Sequence, residues 1–200
     1  MEFREVVRRR RMVRTYADRV VARALVDAVV DAGLRAPSAG FTQGAAFVVL
    51  EGLEATARFW AATARSVNPP EPGTRWARMR TAPVVIVVLT SDRAYRERYA
   101  EADKAGVEPD GDWPLIDAGF AVMSMLLAAT DCGLGSLYFS ITHGEKRLLA
   151  DLGVPSSHRT VGAVTLGWPA DDDHRSPSLE RGRRPRTELV RYGSWGSGRL

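Results

Sequence analysis

Apolar side chains recur every three or four positions along much of the chain, which is the spacing of an amphipathic helix. The ranges that show it are 2–11, 21–34, 53–65, 113–131 and 145–152. The range 113–131 places Ile116, Phe120, Met123, Leu126 and Leu127 on one side and is apolar nearly all round. Such a helix belongs in a core or a subunit interface, so we expect it to be the most buried helix.

Shorter β-branched runs predict four strands, at 46–51, 83–89, 136–141 and 160–167. The run at 83–89 is apolar on both faces and predicts a central, fully buried strand. Polar residues 92–112 predict an exposed helix followed by a loop, and proline and glycine predict loops at 37–44 and 67–74. Helices around about four strands indicate an α+β fold, with residues 1–200 as a single domain.

The C-terminal segment, 169–200, is polar, rich in arginine and interrupted by glycine. A segment with so little apolar content would be disordered on composition alone. Residues 188–192 and Trp195 are nevertheless apolar enough to dock on another surface. We therefore predict that this segment is an extended arm that packs on a second subunit.

Composition excludes several classes of protein. The single cysteine, Cys132, rules out an internal disulfide, and the three histidines are scattered, so we expect no metal site. The charged N-terminus has no apolar stretch of the kind found in secretory signals. The longest apolar segment, Gly119 to Thr130, is shorter than the roughly 20 residues that span a membrane, so we expect a cytoplasmic protein without membrane contact.

The net charge of +4 comes almost entirely from arginine, concentrated at 8–14 and 175–191. Arginine suits phosphate recognition, but the same blocks could be solvated surface or a nucleic-acid-binding stripe. Aromatic residues are not interleaved with them, so we expect no nucleic-acid partner. The acidic run Asp171, Asp172 and Asp173 is interpreted as solvated charge in a hydrophilic turn.

No catalytic motif is present: the chain has no nucleophile elbow, phosphate-binding glycine loop or HExxH. In enzymes without a catalytic side-chain motif, a bound cofactor often performs the reaction. Arg10, Arg11 and Arg14 could converge on one phosphate, and Arg181 and Arg183 would point to one side of an extended segment.

Two loops could contact the rest of a cofactor. Residues 37–43 offer the Ser38 hydroxyl, the Gln43 amide and backbone groups around Gly40, although the same loop could be a plain connection. Residues 133–140 form a glycine-containing turn into a strand, where backbone can approach a ligand closely. The alternative is that these glycines simply end the preceding helix.

Taken in order, these segments resemble the nitroreductase family of flavoproteins. The matching segments are RRMVRTYADRVV (10–21), LRAPSAGFTQGAAFVVLE (34–51), APVVIVVL (82–89), LIDAGFAVMSMLLAATDCGLGSLYF (115–139), VGAVTLGWPA (161–170) and RGRRPRTELV (181–190). Each motif is weak by itself, but six in the same order and spacing make a specific match over nearly the whole chain.

The resemblance implies a nitroreductase-like α+β sandwich with a mainly antiparallel sheet, assembled as a homodimer that exchanges its C-terminal arm and binds FMN at the subunit interface. It assigns the FMN phosphate to Arg10, Arg11 and Arg14 with Arg181 and Arg183. It also indicates a contribution from the partner subunit by the segment before the central strand, where Arg75 and Arg78 are the candidate residues. It assigns the ring to Pro37, Ser38 and Ala39 of the other subunit, supported by Gln43. The backbone of Tyr138, Phe139, Ser140 and Ile141 would face the reactive nitrogen, with the Ser140 amide as its donor.

Two residues depart from the family pattern. Met12 stands where serine is usual, which removes a hydroxyl from the phosphate site, and Phe41 replaces a common asparagine beside the flavin. We expect neighbouring arginines to compensate for the first change. The second change is expected to alter the flavin potential or the choice of substrate.

The implied function is NAD(P)H-dependent reduction of nitroaromatics, quinones or enones by ping-pong hydride transfer, with no catalytic side chain. One alternative is a specialised relative that uses a deazaflavin or acts as an oxidase, a dehalogenase or a flavin-consuming enzyme. Another alternative is a flavin-binding protein without turnover.

Overall fold

The computed structural model describes residues 1–64, 70–107 and 111–195. Its helices are α1 (Phe3–Arg9), α2 (Arg23–Leu34), α3 (Gly52–Ala62), α4 (Arg75–Met79), α5 (Asp92–Tyr99), α6 (Trp113–Asp131), α7 (Glu145–Asp151) and α8 (Arg186–Leu189). Its strands are β1 (Ala45–Glu51), β2 (Val84–Thr90), β3 (Gly135–Phe139) and β4 (Arg159–Gly167). The predicted α+β fold is therefore confirmed, and the short helices α4 and α8 are additions that the sequence pattern did not indicate. The helix predicted within 92–112 is α5, whereas the loop that follows it and the predicted loop at 67–74 each lie partly outside the described residues.

The four strands form one antiparallel sheet in the order β1-β2-β4-β3. All seven residues of β2 are buried, as predicted for a central strand. Alternate residues of a strand point to opposite faces of a sheet, so one run can serve two cores. Ile86 and Val88 pack toward one apolar cluster, whereas Val85 and Val87 pack toward the other.

Helices cover both faces of the sheet. On one face α2 and α6 bring Val26, Val29 and Met125 onto the sheet, and on the other α3 and α7 bring Phe59 and Leu148. Helices α2 and α6 approach closely because Gly33 lies against Met125, where an added Cβ would come within 2.9 Å of the side chain. This two-sided packing holds the ends of β1 and β3 at opposite edges of the sheet.

Helix α6 is buried mainly on a different side from the one we predicted, although Leu126 of the predicted side is buried. Its buried seam includes Ala118, Val122, Met125 and Ala129, and the small alanine side chains allow the helix to lie close to the core. The predicted core residues Ile116, Phe120 and Met123 are 41%, 47% and 43% exposed in the single chain. Although α6 is long and apolar enough to cross a membrane by length and composition, it serves here as a core helix with one uncovered apolar side.

The segment after α1 is bound to the far edge of the sheet. Met12 forms a parallel bridge with Ser136 of β3, and Tyr16 bridges Pro169 just after β4. The buried Tyr16 hydroxyl lies 2.7 Å from Thr165 Oγ1. Its ring packs where Gly167 has no side chain, since an added Cβ would lie 2.7 Å from Tyr16 Cδ1. These contacts fix the course of the backbone that carries Arg10, Arg11 and Arg14.

Candidate cofactor-binding site

Arginines from two parts of the chain meet at the start of β3. The backbone N–H of Tyr16 donates to Thr81 Oγ1 at 3.0 Å, which ties the N-terminal segment to the residues just after α4. Burial is the main cause that lowers the pKa of Arg14, and the charges of Arg75 and Arg78 lower it further. Like charges brought together and partly desolvated favour an anion as a ligand.

Four buried polar atoms on these segments have no hydrogen-bond partner among the described residues. They are Arg10 Nη1, Thr15 Oγ1, Arg78 Nε and Ser136 Oγ. A buried donor without a partner costs about 1–3 kcal/mol, and native proteins leave few such groups. A phosphate monoester offers several oxygens and nearly two negative charges, so the chemistry of this donor set fits the phosphate of a nucleotide cofactor.

Arg11 does not join this set in the described structure. Its guanidinium pairs with Asp173 Oδ2, and Asp173 Oδ1 accepts the backbone N–H groups of Arg14 and Thr15, each at 2.8 Å. The Asp173 side chain is only 1% exposed. The interpretation of the whole acidic run as solvated charge is therefore wrong for Asp173, although Asp171 and Asp172 are exposed.

Met12 contributes to the hydrophobic core. Its side chain is partly buried and packs against the apolar clusters on both faces of the sheet. Ser136, its partner in the parallel bridge, carries one of the hydroxyls without a partner described above. A hydroxyl is thus present beside Met12, on the neighbouring strand.

The loop at 37–43 has a strained and well-supported backbone. Gly40, Phe41 and Gln43 all have positive φ, at 59°, 55° and 53°. Residues other than glycine rarely adopt a positive φ, because it brings their side chain close to the backbone. Strain of this kind is typical of functional loops. Ser38 Oγ accepts the backbone N–H of Gln43 at 2.9 Å, and the Phe41 side chain is 75% exposed.

A buried carboxylate supports this loop from α6. Asp117 Oδ2 accepts the backbone N–H of Ala39 at 2.8 Å and the Tyr95 hydroxyl at 2.7 Å. Burial is the main cause that raises the pKa of Tyr95, and its bond to Asp117 adds to the increase. Our sequence reasoning missed Asp117, although an acid within the apolar range 115–130 was a signal that could have indicated it.

Residues at the end of β3 border a cleft of about 240 Å³. Phe139 stacks on Trp60 at 5.7 Å between ring centroids, and the Tyr138 hydroxyl donates to Val161 O at 2.8 Å. Ser140 lines the cleft, and so does Trp76 of α4. The cleft thus joins the predicted ring-facing backbone to the helix that carries Arg75 and Arg78.

One chain does not bring all the predicted residues together. The 37–43 loop leads into β1, whereas Met12 lies beside β3, and these strands form opposite edges of the four-stranded sheet. Three strand spacings of about 4.8 Å separate the edges by about 14 Å. The loop and the arginine cluster therefore form two separate half-sites in the single chain.

The C-terminal arginines lie outside both half-sites. Arg181 ends a 3₁₀ turn and Gly182 has a φ of 69°, so the segment is not the simple extended strand that we predicted. Arg181 and Arg183 are exposed and make no ion pair within the described part of the chain. Leu189 and Trp195, further along the arm, are also exposed. The Arg191 guanidinium lies over the Trp195 ring at 5.3 Å, but within the described residues both apolar side chains keep more than half of their surface exposed.

Both the sequence and the fold resemble those of known proteins. The sequence model of the nitroreductase family matches residues 7–168. A candidate NADH dehydrogenase/NAD(P)H nitroreductase of Methanothermobacter thermautotrophicus is 26% identical over 178 residues, which are 86% of this chain and 80% of that protein.

Solved structures agree with this match. A candidate nitroreductase from Desulfovibrio desulfuricans, solved in complex with FMN, has a TM-score of 0.70 and 26% identity, covering 98% of each chain. NfrA2 of B. megaterium has a TM-score of 0.75 at 17% identity, covers 98% of this chain and 76% of its own, and supports the fold alone.

Proposed function

The chain belongs to the nitroreductase family, and on this premise we propose that it is a homodimeric, cytoplasmic FMN-dependent oxidoreductase. It takes hydride from NAD(P)H and reduces small acceptors such as nitroaromatics, quinones or enones. The observation that carries the proposal is the arginine cluster at the start of β3, where Arg10, Arg78 and Ser136 keep buried polar atoms without protein partners.

The phosphate of FMN is assigned to Arg10, Arg14 and Arg78. Arg10 and Arg78 supply the unpartnered N–H groups, and Arg14 adds a partly desolvated charge. Ser136 Oγ replaces the hydroxyl that Met12 lacks, because the two residues are bridge partners. Arg181 and Arg183 remain predicted contacts, which the arm at 169–200 would deliver once it is docked in the dimer.

The flavin ring is assigned to the cleft at the end of β3, with the backbone N–H of Ser140 as the donor to its reactive nitrogen. Pro37, Ser38, Ala39 and Phe41 would close the ring site from the other subunit. This arrangement accounts for the two half-sites, because one chain holds them at opposite edges of its sheet.

The chemistry of the reaction belongs to the cofactor, because FMN when bound accepts and donates hydride. The chain's own part is to orient and enclose the reactants. Trp60 and Phe139 stack on each other and form an aromatic wall of the cleft. The flavin ring would take up most of a cleft of about 240 Å³, so the nicotinamide and the acceptor would share the remaining opening in turn, as ping-pong transfer requires.

The dimer is supported by the uncovered side of α6. Phe120 and Met123 project from this side, and Phe3 of the adjacent helix α1 is 69% exposed. Apolar residues grouped in this way mark an interaction surface. A two-fold axis at α6 would bury them and bring the loop supported by Asp117 toward the arginine cluster of the partner.

The test is the visible absorption spectrum of the purified protein, recorded before and after anaerobic addition of NADH or NADPH. Flavin bands that bleach would support the proposal, and bands that persist would favour a deazaflavin donor or a protein without turnover. Arg14→Met should weaken FMN binding about tenfold or more. The matched control is Arg4→Met, which changes an exposed arginine of α1. Equal affinity in both variants would contradict the assigned phosphate site.

A further inference from the structure

Asp173 is held at the end of a short two-stranded pairing between distant parts of the chain. The Ala17 N–H donates to Trp168 O at 2.9 Å, and the Ala170 N–H donates to Thr15 O at 3.0 Å. The Asp173 N–H then closes a turn on Ala170 O at 3.0 Å. This turn carries the carboxylate back over the backbone that leads into the arginine cluster.

The Asp173 carboxylate satisfies two backbone donors and one side-chain donor of that segment. Its Oδ1 accepts the N–H groups of Arg14 and Thr15, and its Oδ2 pairs with the Arg11 guanidinium. Burial would raise the pKa of Asp173, but the bonds from Arg11 and from the two backbone N–H groups outweigh it and hold the pKa below its usual value. Asp173 is thus a buried anion with fixed geometry, one residue away from solvated Asp172.

We propose that Asp173 is a positioning residue for the phosphate-binding arginines. By bonding both N–H groups at Arg14 and Thr15 it fixes the direction in which the Arg14 side chain leaves the backbone. By pairing with Arg11 it removes one guanidinium from the cluster and leaves Arg10, Arg14 and Arg78 to bind the anion. This role rests on the proposed function, because the anion is the FMN phosphate.

The direction in which FMN affinity changes when Asp173 is removed distinguishes a positioning role from a purely electrostatic one. A carboxylate close to a phosphate site repels the ligand, so charge alone predicts that loss of Asp173 would free Arg11 and tighten FMN binding. Positioning predicts the opposite, because the Arg14 backbone would lose its acceptor. The loss of affinity should also be confined to ligands that carry the phosphate, since Asp173 contacts none of the residues assigned to the flavin ring.

The experiment compares binding of FMN and riboflavin by fluorescence titration of the full-length protein freed of flavin. Riboflavin has the same ring but no phosphate, so the ratio of the two dissociation constants reports on the phosphate site. We expect Asp173→Ala to weaken FMN binding about tenfold and riboflavin binding less than about twofold, a loss that matches one charge-assisted hydrogen bond. Asp172→Ala, the matched control, should change neither constant.

Asp173→Asn keeps an oxygen for the two backbone N–H groups and loses only the ion pair with Arg11. It is nearly isosteric, so it answers the question even if the alanine variant does not fold. We expect its FMN constant to lie between those of the wild type and Asp173→Ala. Unchanged or tighter FMN binding in both variants would overturn the proposal, as would an equal loss for FMN and riboflavin. A wild type that binds neither flavin would instead contradict the proposed function.

Discussion

The uncovered side of α6 supports a quantitative prediction for Phe120. This residue is 47% exposed in the single chain and lies between Ile116 and Met123 on the same side of the helix. Replacing it by glutamate, a good helix former, should leave the fold of one chain nearly unchanged, because surface substitutions alter stability by about 0.5 kcal/mol or less. The same change should break a dimer that buries this side.

The size of the effect follows from the exposed area. A phenylalanine side chain offers about 200 Å², so the exposed fraction of 47% is about 90 Å². At about 25 cal/mol per Å² this area contributes about 2 kcal/mol per protomer, and two-fold symmetry doubles it. The dimer dissociation constant should therefore rise at least about a thousandfold, before any cost of burying the new carboxylate.

The assay is sedimentation equilibrium of the wild type and of Phe120→Glu over a range of concentrations, with far-UV circular dichroism as the check on folding. The matched control is Leu53→Glu, since Leu53 is 87% exposed but lies on α3, on the opposite face of the sheet. The control should remain dimeric. Loss of the dimer in Phe120→Glu should also release bound FMN, because each site would lose the loop of the other subunit.

Two results would refute this reasoning. A Phe120→Glu variant with the dissociation constant of the wild type would show that the exposed side of α6 is not the interface. A wild-type monomer that binds FMN tightly would show that one chain completes the site, although its half-sites lie at sheet edges that are about 14 Å apart.

Three further predictions concern the supports of the two half-sites. Phe41→Asn should raise the free energy of unfolding in urea by about 1 kcal/mol, because asparagine tolerates the positive φ of 55° better than phenylalanine; an unchanged or lower value would speak against strain in this loop. Tyr95→Phe should lower the free energy of unfolding by about 1–2 kcal/mol, because Asp117 loses a buried donor; Tyr99→Phe is the control, and an equal loss there would refute the assignment. Asp173 has a lowered pKa in the folded protein, so its stabilisation is complete above its unfolded pKa of about 3.9 and is lost as the pH falls through the folded value. The free energy of unfolding of Asp173→Asn should accordingly depend less on pH below about 4 than that of the wild type, and parallel curves would contradict this.

Much of the fold could be predicted from the sequence, because the periodicity of a helix or a strand sets the spacing of apolar residues within a short segment. Apolar spacing located the long helices α2 and α6, and the run at 83–89 indicated a strand buried on both faces, which β2 is. Short elements escaped detection, since α4 and α8 have five and four residues, too few to show a period. Composition and family resemblance also marked the arginine-rich start of the chain as a candidate phosphate site.

The sequence by itself determined which residues are suited to helix, strand, core or anion binding, because side-chain chemistry and spacing are written in it directly. Only the tertiary structure decided which of several chemically identical residues are buried and which partners they bind. Asp171, Asp172 and Asp173 have the same chemistry, but only Asp173 is carried by a turn onto the N–H groups of Arg14 and Thr15, about 160 residues earlier in the chain. In the same way, packing on α2 and the sheet buried Met125 and left Phe120 exposed on one apolar helix. Burial and partnership depend on contacts between distant segments, and no local pattern contains them.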